Sequence, residues 1–203
     1  MARRCMATPD ELVIDYAMRL KMSLPIELRR PDRSLLDAYT AALEAGWSPN
    51  STRDVCAEQL AAIRADAQAF LAEFEEREGR TVTLPGGQVV ARLPGPVFWI
   101  VDDAFCGAIN LRYLPGTLDL PPHVSGHIGF SVVPWKRRQG VASAALRLLL
   151  PIAKARGLER ALITCDEDNV GSRRVIEGAG GLYAGSAPSI DHVAKRLYWL
   201  ITG

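Results

Sequence analysis

Residues 133–142 place three adjacent cations, Lys136, Arg137 and Arg138, together with Gln139 immediately ahead of Gly140. The preceding stretch, 126–133, is rich in β-formers, and the following one, 143–150, carries apolar residues at helical spacing. A helix N-terminus presents unpaired N–H groups and the positive end of its dipole, so a first turn at Val141, Ala142 and Ser143 can receive anionic oxygens. Gly140 lets a ligand approach the backbone closely. The chemistry on offer is retention of a pyrophosphate. The plain alternative is a strand-turn-helix corner with solvated basic residues.

Other phosphate loops do not fit. A Walker loop needs Gly, four residues, then Gly-Lys-Ser/Thr, and the dinucleotide fingerprint needs three spaced glycines, whereas Gly140 stands alone in its turn. Upstream, strand alternation puts His127, Gly129 and Ser131 on one face and Ile128, Phe130 and Val132 on the other. An imidazole with an ordinary pKa of about 6.5 suits acceptance of a proton from an ammonium near neutral pH. A histidine satisfied by backbone partners is the alternative reading. His123, with Cys106 or Asp119, invites a zinc site, but a four-residue spacing gathers ligands on a helix, and Pro121, Pro122 and Gly126 make this a loop and strand. No metal is expected.

A second constellation follows at a set distance. Residues 160–166 read as a buried strand, and 169–181, beginning at Asn169-Val170-Gly171-Ser172, read as a helix with a glycine stop. Taken together, Arg137, Gly140 and Ala142, then Asn169 and Ser172, resemble the Arg/Gln-x-x-Gly-x-Gly/Ala and Asn-x-x-Ser motifs of the GNAT acetyltransferases. The resemblance covers 97–202 well, 26–78 loosely and 1–25 not at all. Gly126 to Phe130 and Cys165 to Asn169 are also similar to a poorly characterised subgroup of predicted bacterial acetyltransferases with a Gly-His-Ile-Gly-aromatic strand.

The resemblance implies an α/β (α+β) GNAT fold, with a central mixed, mostly antiparallel sheet splayed at an acetyl-CoA site and flanked by helices. It implies acetyl-CoA as donor and an amine of a small molecule or protein terminus as acceptor. Main-chain groups of Ser131, Val132 and Val133 would face the pantetheine and the acetyl carbonyl. Arg137, Arg138, Gln139, Gly140, Val141, Ala142 and Ser143 would hold the pyrophosphate, with Asn169 and Ser172 on the pantetheine arm; Asn169 can equally be a helix N-cap. Many family members place a glutamate near His127 as general base. Their usual tyrosine acid falls at Ile176 here, which leaves Tyr183 and Tyr198 as substitutes. Trp47, Arg112 and His123 fall on the acceptor side, where Arg112 and Tyr113 could select a carboxylate or phosphate. The rival readings are a protein N-terminal or lysine acetyltransferase, and a non-catalytic acyl-CoA-binding regulatory module, which the missing tyrosine favours.

The elements that must position these residues read as follows. Residues 1–25 form an extension of undetermined order, ahead of one domain over 26–203. Residues 26–29 suit a short strand. Asp32 caps a helix with a stripe of Leu35, Leu36, Tyr39 and Leu43, and Ser51 opens a second helix reaching Gly79 through Leu60, Ile63, Ala67, Phe70 and Phe74. A hairpin turns at Pro85-Gly86-Gly87, two strands flank Asp102-Asp103, and two more close the chain. This order argues against a doubly wound nucleotide fold.

The 203 residues carry 24 basic against 23 acidic side chains, so no broad electrostatic attraction to nucleic acid or an anionic membrane is expected. The cysteines, Cys5, Cys56, Cys106 and Cys165, lack metal spacing and read as reduced thiols. Asp10, Glu11 and Asp15 interrupt any signal core, and no apolar run approaches the roughly 20 residues of a membrane span. A cytoplasmic protein is the expectation, with a homodimer as its candidate assembly.

Overall fold

The computed structural model describes residues 25–50, 53–75, 80–84, 87–188 and 194–203. The extension at 1–24, Ser51, Gly79 and the turn residues Pro85 and Gly86 lie outside them. Strand β1 (Glu27–Arg29) leads to α1 (Arg33–Glu44), whose N-cap Asp32 accepts the Ser34 N–H at 2.8 Å. Helix α1 buries Leu36, Tyr39, Ala42 and Leu43, the spacing of a one-sided amphipathic helix. The single helix expected toward residue 79 is instead two, α2 (Cys56–Ala65) and α3 (Ala67–Ala72). Asp66 is the reason: its backbone is extended, and its carboxylate takes the N–H groups of Gln68 and Ala69, both at 2.9 Å, so it ends one helix and caps the next. A small hairpin, β2 (Thr81–Thr83) with β3 (Val89–Ala91), follows as expected.

The remaining strands are β4 (Val97–Val101), β5 (Phe105–Leu111), β6 (Ile128–Val132), β7 (Arg160–Asp166), β8 (Leu182–Pro188) and β9 (Ala194–Ile201). Helix α4 (Val141–Ala155) joins β6 to β7, and α5 (Val170–Gly178) follows β7. The main sheet runs β1-β4-β5-β6-β7-β9-β8, antiparallel throughout except for the parallel pair β6 and β7. Its two faces carry separate cores. Ile100, Leu111, Ile128, Val132, Ile163 and Leu200 pack under α4 and α5 with Leu146, Leu149 and Ile176. Trp99, Phe105, Ala108 and Val133 pack under α1 and α3 with Tyr39, Trp47 and Phe70. Alternation along each strand produces this division.

Register is the feature that shapes the site. Strands β5 and β6 pair over five residues and β7 and β9 over seven, but β6 and β7 pair only at Ile128 and Ile163. Beyond that point 129–132 and 164–166 run on without a ladder between them, so the sheet opens between its two halves. Among the described residues no helix is long and apolar enough to cross a membrane.

Candidate active site

The turn between β6 and α4 divides the labour of its basic residues. Lys136 does not face outward: its Nζ lies 2.7 Å from Asp102 Oδ2 and 3.3 Å from Asp103 Oδ1, in the turn between β4 and β5. Burial alone would raise the Asp102 pKa, but the bonds from Lys136 and other donors outweigh it and hold the carboxyl below the usual carboxylate range. Arg137 Nε donates to the Val132 carbonyl at 3.1 Å. Gln139 Nε2 donates to the Trp135 carbonyl at 2.8 Å. Arg138, exposed and left-handed at φ 60, is the cation of this turn whose side chain has neither an ion pair nor a hydrogen bond among the described residues.

Gly140 is the N-cap of α4, left-handed at φ 80, and α4 has neither a capping side chain nor an acidic residue in its first turn. The space where a Gly140 side chain would stand is empty to 4 Å. Val141, Ala142 and Ser143 therefore present first-turn N–H groups beside Arg138, with open access over Gly140, which fits an anionic diphosphate.

The opening between β6 and β7 begins above this turn. The Val133 N–H donates to the Cys106 carbonyl at 3.0 Å and the His127 carbonyl accepts the Arg112 N–H at 2.8 Å, while the His127 N–H turns to the Leu162 carbonyl of β7 at 2.7 Å; from the His127 carbonyl onward the odd-numbered residues therefore turn their peptide groups to β5. By the two-residue period, Phe130 and Val132 aim theirs at β7, where the ladder is missing. Of the three residues expected to offer main-chain groups, Val132 faces the opening, while Ser131 and Val133 are spent on β5. Phe130, which shares the Val132 orientation, was not expected; period-2 reasoning on the strand would have found it. On the far rim Asn169 caps α5, its Oδ1 accepting the Ser172 N–H at 2.9 Å. Its amide nitrogen is left exposed.

The other face of β6 is polar. Ser131 Oγ accepts the Trp47 indole N–H at 2.9 Å and donates to the Ser48 carbonyl at 2.9 Å, tying the loop after α1 to the strand. Trp47, expected to wall the acceptor site, is 2% exposed and packed edge-on against Tyr39 and Phe105, so it supports Ser131 and offers no surface. Asn110 Oδ1 accepts the Gly129 N–H at 3.0 Å. Arg112 Nε donates to the Gly126 carbonyl at 3.0 Å, and its guanidinium lies over Gly129, where a Cβ would stand 3.1 Å from one terminal nitrogen and 2.8 Å from Asn110 Oδ1. Tyr113 points the other way, into the core, and takes Arg156 on its hydroxyl at 3.0 Å.

His127 is fully buried. Its Nδ1 accepts the Leu162 N–H at 2.9 Å, which places the proton of the neutral ring on Nε2, and Nε2 has no hydrogen-bond partner among the described residues. Burial and then the charge of Arg112 push its pKa down. A neutral imidazole has one lone pair for protons, and here it is occupied. The geometry therefore differs from the expectation of a proton acceptor: His127 presents a donor.

The tyrosines lie on the α5 side of the sheet. Tyr198 is buried, donates to Glu177 Oε1 at 3.0 Å and accepts Arg196 Nε at 3.0 Å; burial, then its bond to Glu177, keeps its pKa raised. Tyr183 is exposed, its hydroxyl 2.9 Å from Ser186 Oγ and its ring under the Arg196 guanidinium at 4.4 Å. Among the described residues no hydrogen bond joins either hydroxyl to the residues facing the opening. His123 sits in the loop beside a cleft of about 320 Å³ lined by Leu118, Pro121, Val124, Leu162 and Trp199. Among the described residues no cluster of His, Cys, Asp or Glu could hold a metal ion, and Cys56, Cys106 and Cys165 are free thiols.

Residues 26–181 match the family model described as an acetyltransferase (GNAT) domain. Solved structures share the fold. RimJ from Mycobacterium smegmatis, in complex with CoA-disulfide, is 19% identical with a TM-score of 0.56, over 88% of this chain and 84% of that one. An acetyltransferase from Salmonella typhimurium, described as modifying the N-terminal serine of the ribosomal protein L7/L12, is 16% identical with a TM-score of 0.55, over 87% and 95%. The microcin C7 self-immunity acetyltransferase MccE, in complex with acetyl-CoA and AMP, is 14% identical with a TM-score of 0.54, over 87% and 92%. No curated protein matches this chain significantly.

Proposed function

This chain belongs to the GNAT acetyltransferase family, and we propose that it moves the acetyl group of acetyl-CoA to the primary amine of a small molecule. The observation that carries this reading is the single-residue pairing of β6 with β7 at Ile128, which leaves 129–132 without a ladder up to the turn that leads into the uncapped, glycine-led N-terminus of α4. Acetyl-CoA supplies an activated acyl group. In this reading Arg138 and the first-turn N–H groups of Val141, Ala142 and Ser143 hold the diphosphate. The amide of Asn169 and the peptide groups of Phe130 and Val132 line the arm. A peptide N–H aimed into the opening stabilises the charge that grows on the carbonyl oxygen. Arg137, bound to the Val132 carbonyl, and Lys136, bound to Asp102, brace the turn. Neutral His127 orients the polar face as a donor, and the ammonium proton of the acceptor leaves to solvent over that face.

Calorimetric titration with acetyl-CoA, followed by detection of free CoA over a panel of amines, tests the reading. Binding with amine-dependent release of CoA is expected. Binding without release would make the chain an acyl-CoA-binding module, and absence of binding would overturn the assignment.

A further inference from the structure

Around Gly129 on the polar face of β6, the side-chain groups left without partners among the described residues are donors. Arg112 is half-buried, spends only Nε on the Gly126 carbonyl, and has no carboxylate partner among the described residues; burial pushes its pKa down. Asn110 spends its oxygen on the Gly129 N–H, which leaves its amide hydrogens outward. His127 Nε2, with its proton, is buried and unpartnered. A partly buried cation and an orphaned buried donor are each costly, and leaving either without a partner costs more than a hydrogen bond returns. Gly129 is what gives this group its room, since any Cβ there would press on both Asn110 and Arg112.

We propose that this cluster is a carboxylate subsite, and that the acceptor is an amino acid whose carboxylate is received by the terminal nitrogens of Arg112, with Asn110 and His127 as flanking donors. The proposal rests on the acetyl-transfer reading above. A guanidinium with both terminal nitrogens open matches a carboxylate in two parallel hydrogen bonds. Scale agrees: Gly129 lies one to three residues along β6 from Phe130 and Val132, about 3 to 10 Å. That interval accommodates an attacking nitrogen about 3 Å from the carbonyl carbon and a carboxylate one or two carbons beyond it. In the reaction the amine, having lost a proton to solvent, forms the N–C bond to the acetyl carbonyl carbon. The C–S bond breaks, the thiolate of CoA leaves and takes a proton from solvent, and the nitrogen loses its second proton. The products are an N-acetylamino acid and CoA.

The test compares acceptors that differ only in the carboxylate: the L-amino acids, the same compounds as C-terminal amides, and phosphoethanolamine, with release of free CoA as readout. The wild-type protein is expected to prefer acid over amide by about tenfold to a hundredfold in kcat/KM, the range of a charge-assisted hydrogen bond. Arg112→Gln removes the cation, and Gly129→Ala displaces it without removing it. Both are expected to abolish that preference through KM while the shift in Tm given by acetyl-CoA persists. Equal use of acid and amide by the wild type, or a preference that survives in Gly129→Ala, overturns the proposal even if Arg112→Gln fails to fold. So do preference for phosphoethanolamine, which would make the subsite one for phosphate, and acetyl-CoA binding with no use of any amino acid. Failure to bind acetyl-CoA at all is a different result, and it removes the acetyl-transfer reading itself.

Discussion

Around Gly140 the groups available to a ligand are main-chain N–H groups of one helix turn, contiguous in sequence and needing no side chain beyond Arg138. Over Gly129 they are side chains of Asn110, Arg112 and His127, drawn from the end of β5, its following loop and the entry to β6. On the proposed reading the first region works by backbone conformation. The second works by side-chain identity and depends on one glycine that leaves space. A member of a large family can thus keep the donor end while its acceptor end is rewritten by changes at a few strand positions.

The largest effect is expected where backbone conformation cannot be replaced. Gly140→Val puts a β-branched residue at φ 80, where left-handed geometry costs about 1–2 kcal/mol, and its methyl groups cover the α4 N–H groups. Acetyl-CoA at a hundred times its Kd should add about 2.7 kcal/mol to the wild-type fold, read as a rise in Tm, and most of that rise should vanish in the variant. An undiminished rise would show that the turn does not hold the donor.

The next effect separates bracing from ligand contact. Lys136→Ala should cost about 1.5–3 kcal/mol of stability, the scale of a charge-assisted hydrogen bond, and should weaken acetyl-CoA binding through loss of loop geometry. Exchanging the pair, Lys136→Asp with Asp102→Lys, should recover most of both. If Lys136 touched phosphate directly, the exchanged protein would bind acetyl-CoA worse than the single variant, because it would carry a carboxylate beside the anion.

His127 predicts a pH dependence. Burial depresses its pKa, so the unfolded chain, with an ordinary value of about 6.5, binds the proton more readily than the folded one. The stability linked to His127 is complete above that value and declines as pH falls below it toward the lower folded pKa. In His127→Asn, whose side-chain oxygen can take over the Leu162 N–H, Tm between pH 7 and 5 should fall less than in wild type. An identical fall would place the titration elsewhere. A hundredfold loss of turnover in this variant together with disappearance of the acidic limb of the rate profile would restore His127 as the base.

The smallest effect belongs to the tyrosine network. Tyr198→Phe should cost about 0.5–1.5 kcal/mol by removing the bonds to Glu177 and Arg196 and should leave turnover within about threefold, since the proton is already committed to Glu177. A loss of about a hundredfold or more, the range of general acid–base catalysis, would identify Tyr198 as the acid.

The same contrast explains what could be read before the structure. The donor end is local: three cations, one glycine and a helix stripe within 133–150 announce an anion-receiving turn, and Asn169 with Ser172 announces the facing cap. Strands β4 to β7 are legible as apolar, β-forming runs, because β4 and β5 bury both faces and β6 and β7 bury at least one. The break at Asp66 is not legible in the sequence, because an aspartate in a helical stripe reads as a polar surface position and only its capture of two N–H groups reveals a cap. The burial of Trp47 is equally hidden, because a tryptophan beside Gly46 and Pro49 reads as a loop residue while its cover comes from Tyr39 and Phe105. The diversion of Lys136 to Asp102, 34 residues away, has no local signal. The placement of Asn110 and Arg112 together over Gly129 has one: two residues apart at the end of β5 and just beyond it, they share a face.

A crystal structure with acetyl-CoA is the most direct test of the central claim, that the β6–β7 opening and the α4 N-terminus form one donor site. The account predicts the diphosphate on the N–H groups of Val141, Ala142 and Ser143, and the thioester beside the peptide groups of Phe130 and Val132. A donor bound with its diphosphate away from Gly140, or with its thioester outside the gap between 129–132 and 164–166, would contradict it.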